Sequence, residues 1–184
     1  FSVKVDYINT QLKVFREELR TNKGFAPDGW AQAAQWCVQH KVNLDEALLW
    51  ADSACSTTFG GERSFQNWST KAQVLQLLNR GPEAAEIMKK ATPFGSMQEL
   101  HQYGRQLLGM KMFKEAFDVF KMNADKNPGQ FTTYMGLARG YSGLGDFKNA
   151  LKNAQLALPL APNQQNKTAV EGAIEKLKAG KDIN

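Results

Sequence analysis

No apolar run in this 184-residue sequence is long enough to span a bilayer, and no basic leader followed by an apolar core opens it. Cysteine is scarce. Cys37 and Cys55 are the two present, and their spacing matches no metal-binding pattern. With no leader visible, two cysteines do not assign a redox compartment. Cys37 late in one helix and Cys55 at the far end of the next would stand too far apart for a disulfide, so both are expected as free, small packing residues. Histidine is equally sparse. His40 and His101 lie far apart, and the Cys37–His40 pair, three residues apart on a helix, lacks the further ligands a metal needs. No block of one charge occurs either. The net charge of +5 divides as −1 over residues 1–64 and +3 over each of 65–130 and 131–184, a mild lean rather than a nucleic-acid-binding patch. No Ser/His/Asp order, paired carboxylates or ligand cluster stands out, so neither catalysis nor a cofactor is expected.

What is abundant is helical periodicity. The stretch GLARGYSGLGD (136–146) holds four glycines, but no strand precedes it and no Lys-Ser/Thr follows, as a phosphate loop requires. Read across 131–162, the glycines are instead punctuation. Tyr134, Leu137, Ala138 and Tyr141 share one helix, Gly145 breaks it, Phe147, Ala150, Ala154 and Ala157 share a second, and Pro162 closes the unit. The small residues mark where two helices approach closely, and the aromatic ones fill the space between. The pattern recurs. Aligned on Ala47, Ala84, Ala116 and Ala150, the spacings are 37, 32 and 34 residues, and Phe113 and Pro128 each precede Phe147 and Pro162 by 34. These residues resemble the tetratricopeptide repeat, a helix–turn–helix unit of about 34 residues. The expected fold is all-α: a right-handed superhelix of about four such hairpins (28–64, 65–96, 97–130 and 131–162). An N-terminal helix and linker (7–27) precede them, and a capping helix and tail (163–184) follow. Asn43 with Glu46 reads as a capping box, Pro82 as a first-turn proline and Asp146 as an N-cap. Val170, Ile174 and Leu177 should face inward on the last helix, and Ile8, Leu12, Phe15 and Leu19 on the first.

One segment does not fit a helical array. FSVKVD (1–6) alternates as a half-buried strand does, and no partner strand appears downstream. With Phe1 standing in place of a start methionine, it is read as the last strand of a β-rich domain ahead of this segment. The order of FSVKVD, GFAPDGWAQAAQWC, NLDEALLWADSA, HQYGRQLL and GLARGYSGLGD is similar to the C-terminal helical half of an uncharacterised bacterial family. Members of that family carry an N-terminal β-rich domain behind an export signal. That resemblance implies an exported parent, periplasmic or envelope-associated, and brings no activity with it.

In stacked hairpins the first helices line a concave face. The repeat register puts Gln32, Trp36, Gln39 and His40 there in the first unit, and Gln66, Ser69, Gln73 and Gln76 in the second. It adds Gln98, His101 and Arg105 in the third, and Thr132, Met135 and Arg139 in the fourth. Arg105 and Arg139, 34 residues apart, should stack and can hold a carboxylate by charge-assisted hydrogen bonds. Three roles follow. The first is a scaffold binding a protein or peptide on this face. The second is a module bracing the upstream β-domain, which would then be its partner. The third, a nucleic-acid-binding repeat, would need a continuous basic stripe, and only two stacked arginines are visible. The lysines and asparagines with which peptide-clamping repeats open are replaced here by Trp36 and Gln73, so a carboxylate clamp of that kind is not expected.

Overall fold

The structure, a computed structural model, describes residues 6–184 and is all-α. The proposed strand at 1–6 falls, but for Asp6, outside the described residues. The ten α-helices described form two compact units, one reaching to Phe94 and the other spanning Gly95–Asn184.

The first unit contains α1 (Tyr7–Glu18), α2 (Pro27–His40), α3 (Leu44–Ala54), α4 (Phe65–Leu77) and α5 (Gly81–Ala91). Asp6 caps α1 by accepting the Asn9 backbone N–H, and Pro27 opens α2 where a helix needs no amide donor. α2 pairs with α3 and α4 with α5, and α4 also packs on α2. The core of this unit unites Leu12 and Phe15 of α1 and Leu19 at its C-cap with Ala33, Ala34, Cys37, Ala47, Trp50 and Val74. The alanines let the backbones come close, and Trp50 fills the remaining space edge-on to Phe15, with ring centroids 6.2 Å apart. Ile8 does not join this core. It lies on the first turn of α1 and is 38% exposed, while the buried side chains of the core begin at Leu12.

The second unit contains α6 (Met97–Gly109), α7 (Phe113–Lys126), α8 (Phe131–Gly143), α9 (Phe147–Ala157) and α10 (Gln164–Lys178). Phe120, fully buried on α7, is the largest side chain at its centre. A Cβ on Gly104 of α6 would stand 2.5 Å from the Phe120 ring, and one on Gly136 of α8 would stand 2.7 Å from it. Two glycines thus make room for one phenylalanine. Gly136 serves close packing as well as punctuation, while Gly145, at φ +77°, turns the chain between α8 and α9. Val170, Ile174 and Leu177 seat α10 on the Ala150/Ala154/Ala157 stripe of α9. The four recurring alanines, Ala47, Ala84, Ala116 and Ala150, are all at most 1% exposed.

Two of the expected helix starts follow local chemistry and one does not. Pro82 lies in the first turn of α5, and Asp146 caps α9 through the Asn149 N–H. Asn43 is no capping box. It sits in the left-handed region (φ 52°) and makes no cap bond; its Nδ2 donates to Glu46 Oε2 at 2.6 Å instead. Glu46 is drawn away by Arg16 of α1, which reaches both its oxygens with hydrogen bonds of 2.6–3.1 Å. The reciprocal capping box is at α6, between Ser96 and Glu99.

Candidate functional site

The first-helix positions of the first unit are α2 and α4. Gln32 and Gln39 are exposed on α2. Trp36 is not open surface: Phe15 meets it edge-on at 5.7 Å, Tyr7 lies 6.2 Å away, and the His40 ring stacks on it at 4.1 Å. His40 is further held by a 2.9 Å hydrogen bond between Nδ1 and the Trp36 carbonyl. The stacking surface expected for a partner is therefore used by α1. On α4, Gln66 and Gln76 are exposed, while Ser69 and Gln73 are half-buried and face each other, Gln73 Nε2 to Ser69 Oγ at 3.4 Å. Beside them Thr70 Oγ1 donates to Gln35 Oε1 at 2.9 Å, tying α4 to α2.

The corresponding helices of the second unit are α6 and α8, and here charge gathers. Gln98 and Arg105 are exposed on α6; Thr132 and Arg139 are half-buried on α8. Met135 is a correction to the register: at 8% exposure it packs into the α8–α9–α10 core, because its helical position points it toward the alanine stripe. His101 is half-buried between Phe120, at 5.7 Å, and the α8 backbone. Burial pushes its pKa down to about 4, helped by the positive charges of Arg139 and Arg105, while a hydrogen bond to the Thr132 backbone works the other way. Its Nδ1 is buried without a hydrogen-bond partner. Arg139 is lowered from the ordinary arginine value by burial first and by Arg105 second, with Asp182 opposing. The two arginines thus lie close enough to repel one another.

Something already lies against Arg139. After α10, Gly180 takes a left-handed φ of +67° and the chain turns back toward α8. Arg139 Nη1 donates to the Ile183 carbonyl at 3.3 Å, and Asn184 Nδ2 donates to the Arg139 carbonyl at 3.0 Å. Ser142, 2% exposed, donates its hydroxyl to Asp182 Oδ1 at 2.5 Å and accepts the Ile183 N–H at 3.1 Å. Ile183 packs against the hydrophobic cluster of this unit. Ser142, Asp182, Ile183 and Asn184 were not among the expected site residues, since nothing in their spacing signals a contact across 40 residues.

Two further features bear on chemistry. Cys37 and Cys55 are buried free thiols, with burial raising their pKa values to about 11 and about 12. An open cleft of about 390 Å³ lies among α3, α4 and α5, lined by Leu48, Asp52, Lys71, Leu75, Pro82 and Ile87. The Lys71–Asp52 ion pair (2.7 Å) belongs to its wall. Among the described residues no group of three or more His, Cys, Asp or Glu is placed to hold a metal ion, and no helix is long and apolar enough to cross a membrane.

Comparison with known proteins places the fold. No family model and no curated protein sequence matches the chain. Among solved structures, it is similar to YrrB, described as a TPR protein with an unusual peptide-binding site. The identity is 15%, the TM-score 0.55, and the match covers 94% of this chain and 87% of that one. It is also similar to MamA 41-end from Desulfovibrio magneticus RS-1, at 15% identity and a TM-score of 0.51, over 86% of this chain and 95% of that one. Identity this low speaks to fold alone. In its sequence pattern, its helical hairpins and its structural neighbours, this chain has the tetratricopeptide-repeat fold.

Proposed function

We propose that the protein is a non-catalytic interaction scaffold that binds a peptide segment of a partner protein on the first helices of the second unit, around Arg105 and Arg139. One observation carries the reading: a peptide segment, residues 182–184, is already bound there through main-chain and side-chain hydrogen bonds. Charge supports it. Arg139 lies half-buried with the positive charge of Arg105 acting on it and Asp182 opposing, and two arginines brought together in this way suit an acidic partner. YrrB, with the same fold, is described as having a peptide-binding site. The exposed Gln98 and the half-buried Thr132 would flank such a segment. In the first unit the exposed Gln32, Gln39, Gln66 and Gln76 remain candidate contacts.

The test is selection of peptides from a random displayed library on the immobilised protein, with the Arg105→Glu/Arg139→Glu pair as counter-screen. Acidic sequences should enrich on the wild type and fail on the pair, whose melting curve should stay cooperative. A library that yields no enriched sequence, or sequences held equally by both proteins, would overturn the reading.

A second reading has its own observation. Tyr7, Ile8 and Val14 of α1 are exposed apolar side chains, at 59%, 38% and 38%. They suit packing against a β-rich domain ahead of residue 7 in an exported parent, as the sequence resemblance implies. Faster hydrogen exchange in α1 of the isolated segment than in the parent would support this brace; identical exchange would count against it.

A further inference from the structure

We infer that residues 182–184 are a resident ligand of the α8 surface: they mark it as a site for segments reading acid–aliphatic–amide, and they hold it closed until such a partner segment displaces them. This rests on the scaffold reading above and names both the partner's chemistry and the control of the site.

The recognition is built from groups that need no covalent tether. Ser142 uses its hydroxyl twice, donating to the Asp182 carboxylate and accepting the Ile183 amide, so one buried side chain reads an acid and the main chain beside it. Arg139 binds the next carbonyl with its guanidinium, and its own carbonyl receives the Asn184 amide group. Ile183 supplies the apolar contact between these polar ones. Asp182 also accepts from the Asn184 backbone at 3.2 Å and from its side chain at 2.9 Å, which pre-forms the segment as a compact turn. A turn shaped before binding loses less entropy on docking. An external segment with Asp, an aliphatic residue and Asn in that order can make every one of these contacts.

The tail also has the properties of a replaceable occupant. It is joined to α10 by a single turn at Gly180, held by hydrogen bonds from the Gly180 and Lys181 amides to Leu177 and Lys176. Ser142, by contrast, is 2% exposed on α8, so the receiving side is fixed. A short tether keeps the tail at an effective concentration in the millimolar range. Only a partner that binds more tightly, or that also engages Arg105, can exchange with it.

The experiment uses the full 184-residue chain in two forms, native and with Asp182→Gly, Ile183→Gly and Asn184→Gly. The probe is an end-capped synthetic peptide, Gly-Lys-Asp-Ile-Asn-Gly, titrated by amide NMR. The open-tail chain should show saturable shifts centred on Arg139, Ser142 and Gly143. Its affinity should exceed that of the native chain at least about tenfold, since the native tail competes. Ser142→Ala in the open-tail chain should abolish the shifts, as should replacing the peptide's aspartate by lysine. Equal affinity for the two chains, no saturable binding to the open form, or shifts that persist in Ser142→Ala would each overturn the inference. If the triple change lowers the melting midpoint by more than about 5 °C, the single Asp182→Ala replaces it, with the same outcomes expected. Failure here with acidic peptides still selected by the native chain would leave the scaffold standing and the tail as a structural plug. Failure of both would remove the site.

Discussion

Gly104→Ala is the sharpest single test of how the second unit is packed. Two effects of opposite sign compete at this position. In the middle of α6, replacing glycine by alanine should stabilise the helix by up to about 1 kcal/mol, through backbone entropy alone. Against that, the new Cβ would stand 2.5, 2.7 and 2.9 Å from three carbons of the Phe120 ring. Contacts of that kind require movement. Phe120 is 0% exposed, a Cβ at Gly136 of α8 would stand 2.7 Å from its ring, and the His101 ring lies 5.7 Å away, so little room exists for the ring to yield. Overpacking in a core costs about 1–3 kcal/mol. The steric cost therefore wins, leaving a net destabilisation of about 1–2 kcal/mol and a melting midpoint about 3–6 °C lower in a chain of this size. Gly172→Ala on α10 is the control: a Cβ there meets nothing within 4 Å, so only the helix term remains and the protein should become slightly more stable. Thermal melts followed by circular dichroism, repeated on Phe120→Leu and on the double variant, complete the cycle. Leucine lacks the ring atoms that clash, so the alanine should cost less in that background. A Gly104→Ala protein as stable as the wild type, or more stable, would refute the packing account.

Three other outcomes follow. Ala150→Leu should destabilise the last hairpin by about 1–3 kcal/mol, since Ala150 is 0% exposed where α9 meets α8; a wild-type melting midpoint would contradict the register. His101 has a folded pKa near 4 against 6.5 for an ordinary histidine, so the unfolded chain binds more protons between those values. Its contribution is fully present above about pH 6.5 and lost as pH falls toward 4, amounting to at most about 3 kcal/mol; His101→Gln should flatten the fall in denaturation midpoint across that window. Cys37 and Cys55, with thiol pKa values raised by burial, should resist alkylation at pH 8 in the native protein and react fully in urea.

The contrast between α9 and the tail shows where legibility ends. Ala150, Ala154 and Ala157 announce the buried face of α9 because a close helix crossing demands small residues at a fixed period, and that demand repeats in every hairpin. Asp146 announces a helix start because its cap involves a neighbour three residues away, and Pro82 does so because a first turn needs no amide donor there. Local and periodic requirements of this kind are written in order along the chain, so the all-α repeat fold could be read from it. Asn43 misleads for the opposite reason: Arg16, 30 residues earlier, takes the glutamate that a capping box would use.

The sequence alone thus determined the helices, their pairing into hairpins, and which alanines are buried. Tertiary structure alone decided which polar and aromatic positions remain available. Trp36 and Arg139 occupy comparable places in the repeat register. The first lies beneath Phe15 and Tyr7 of α1, and the second is bonded to Ile183. Neither fate has a period. Each depends on where a helix or a turn at the end of its unit folds back, and a single left-handed glycine, Gly180, is enough to redirect the chain onto α8.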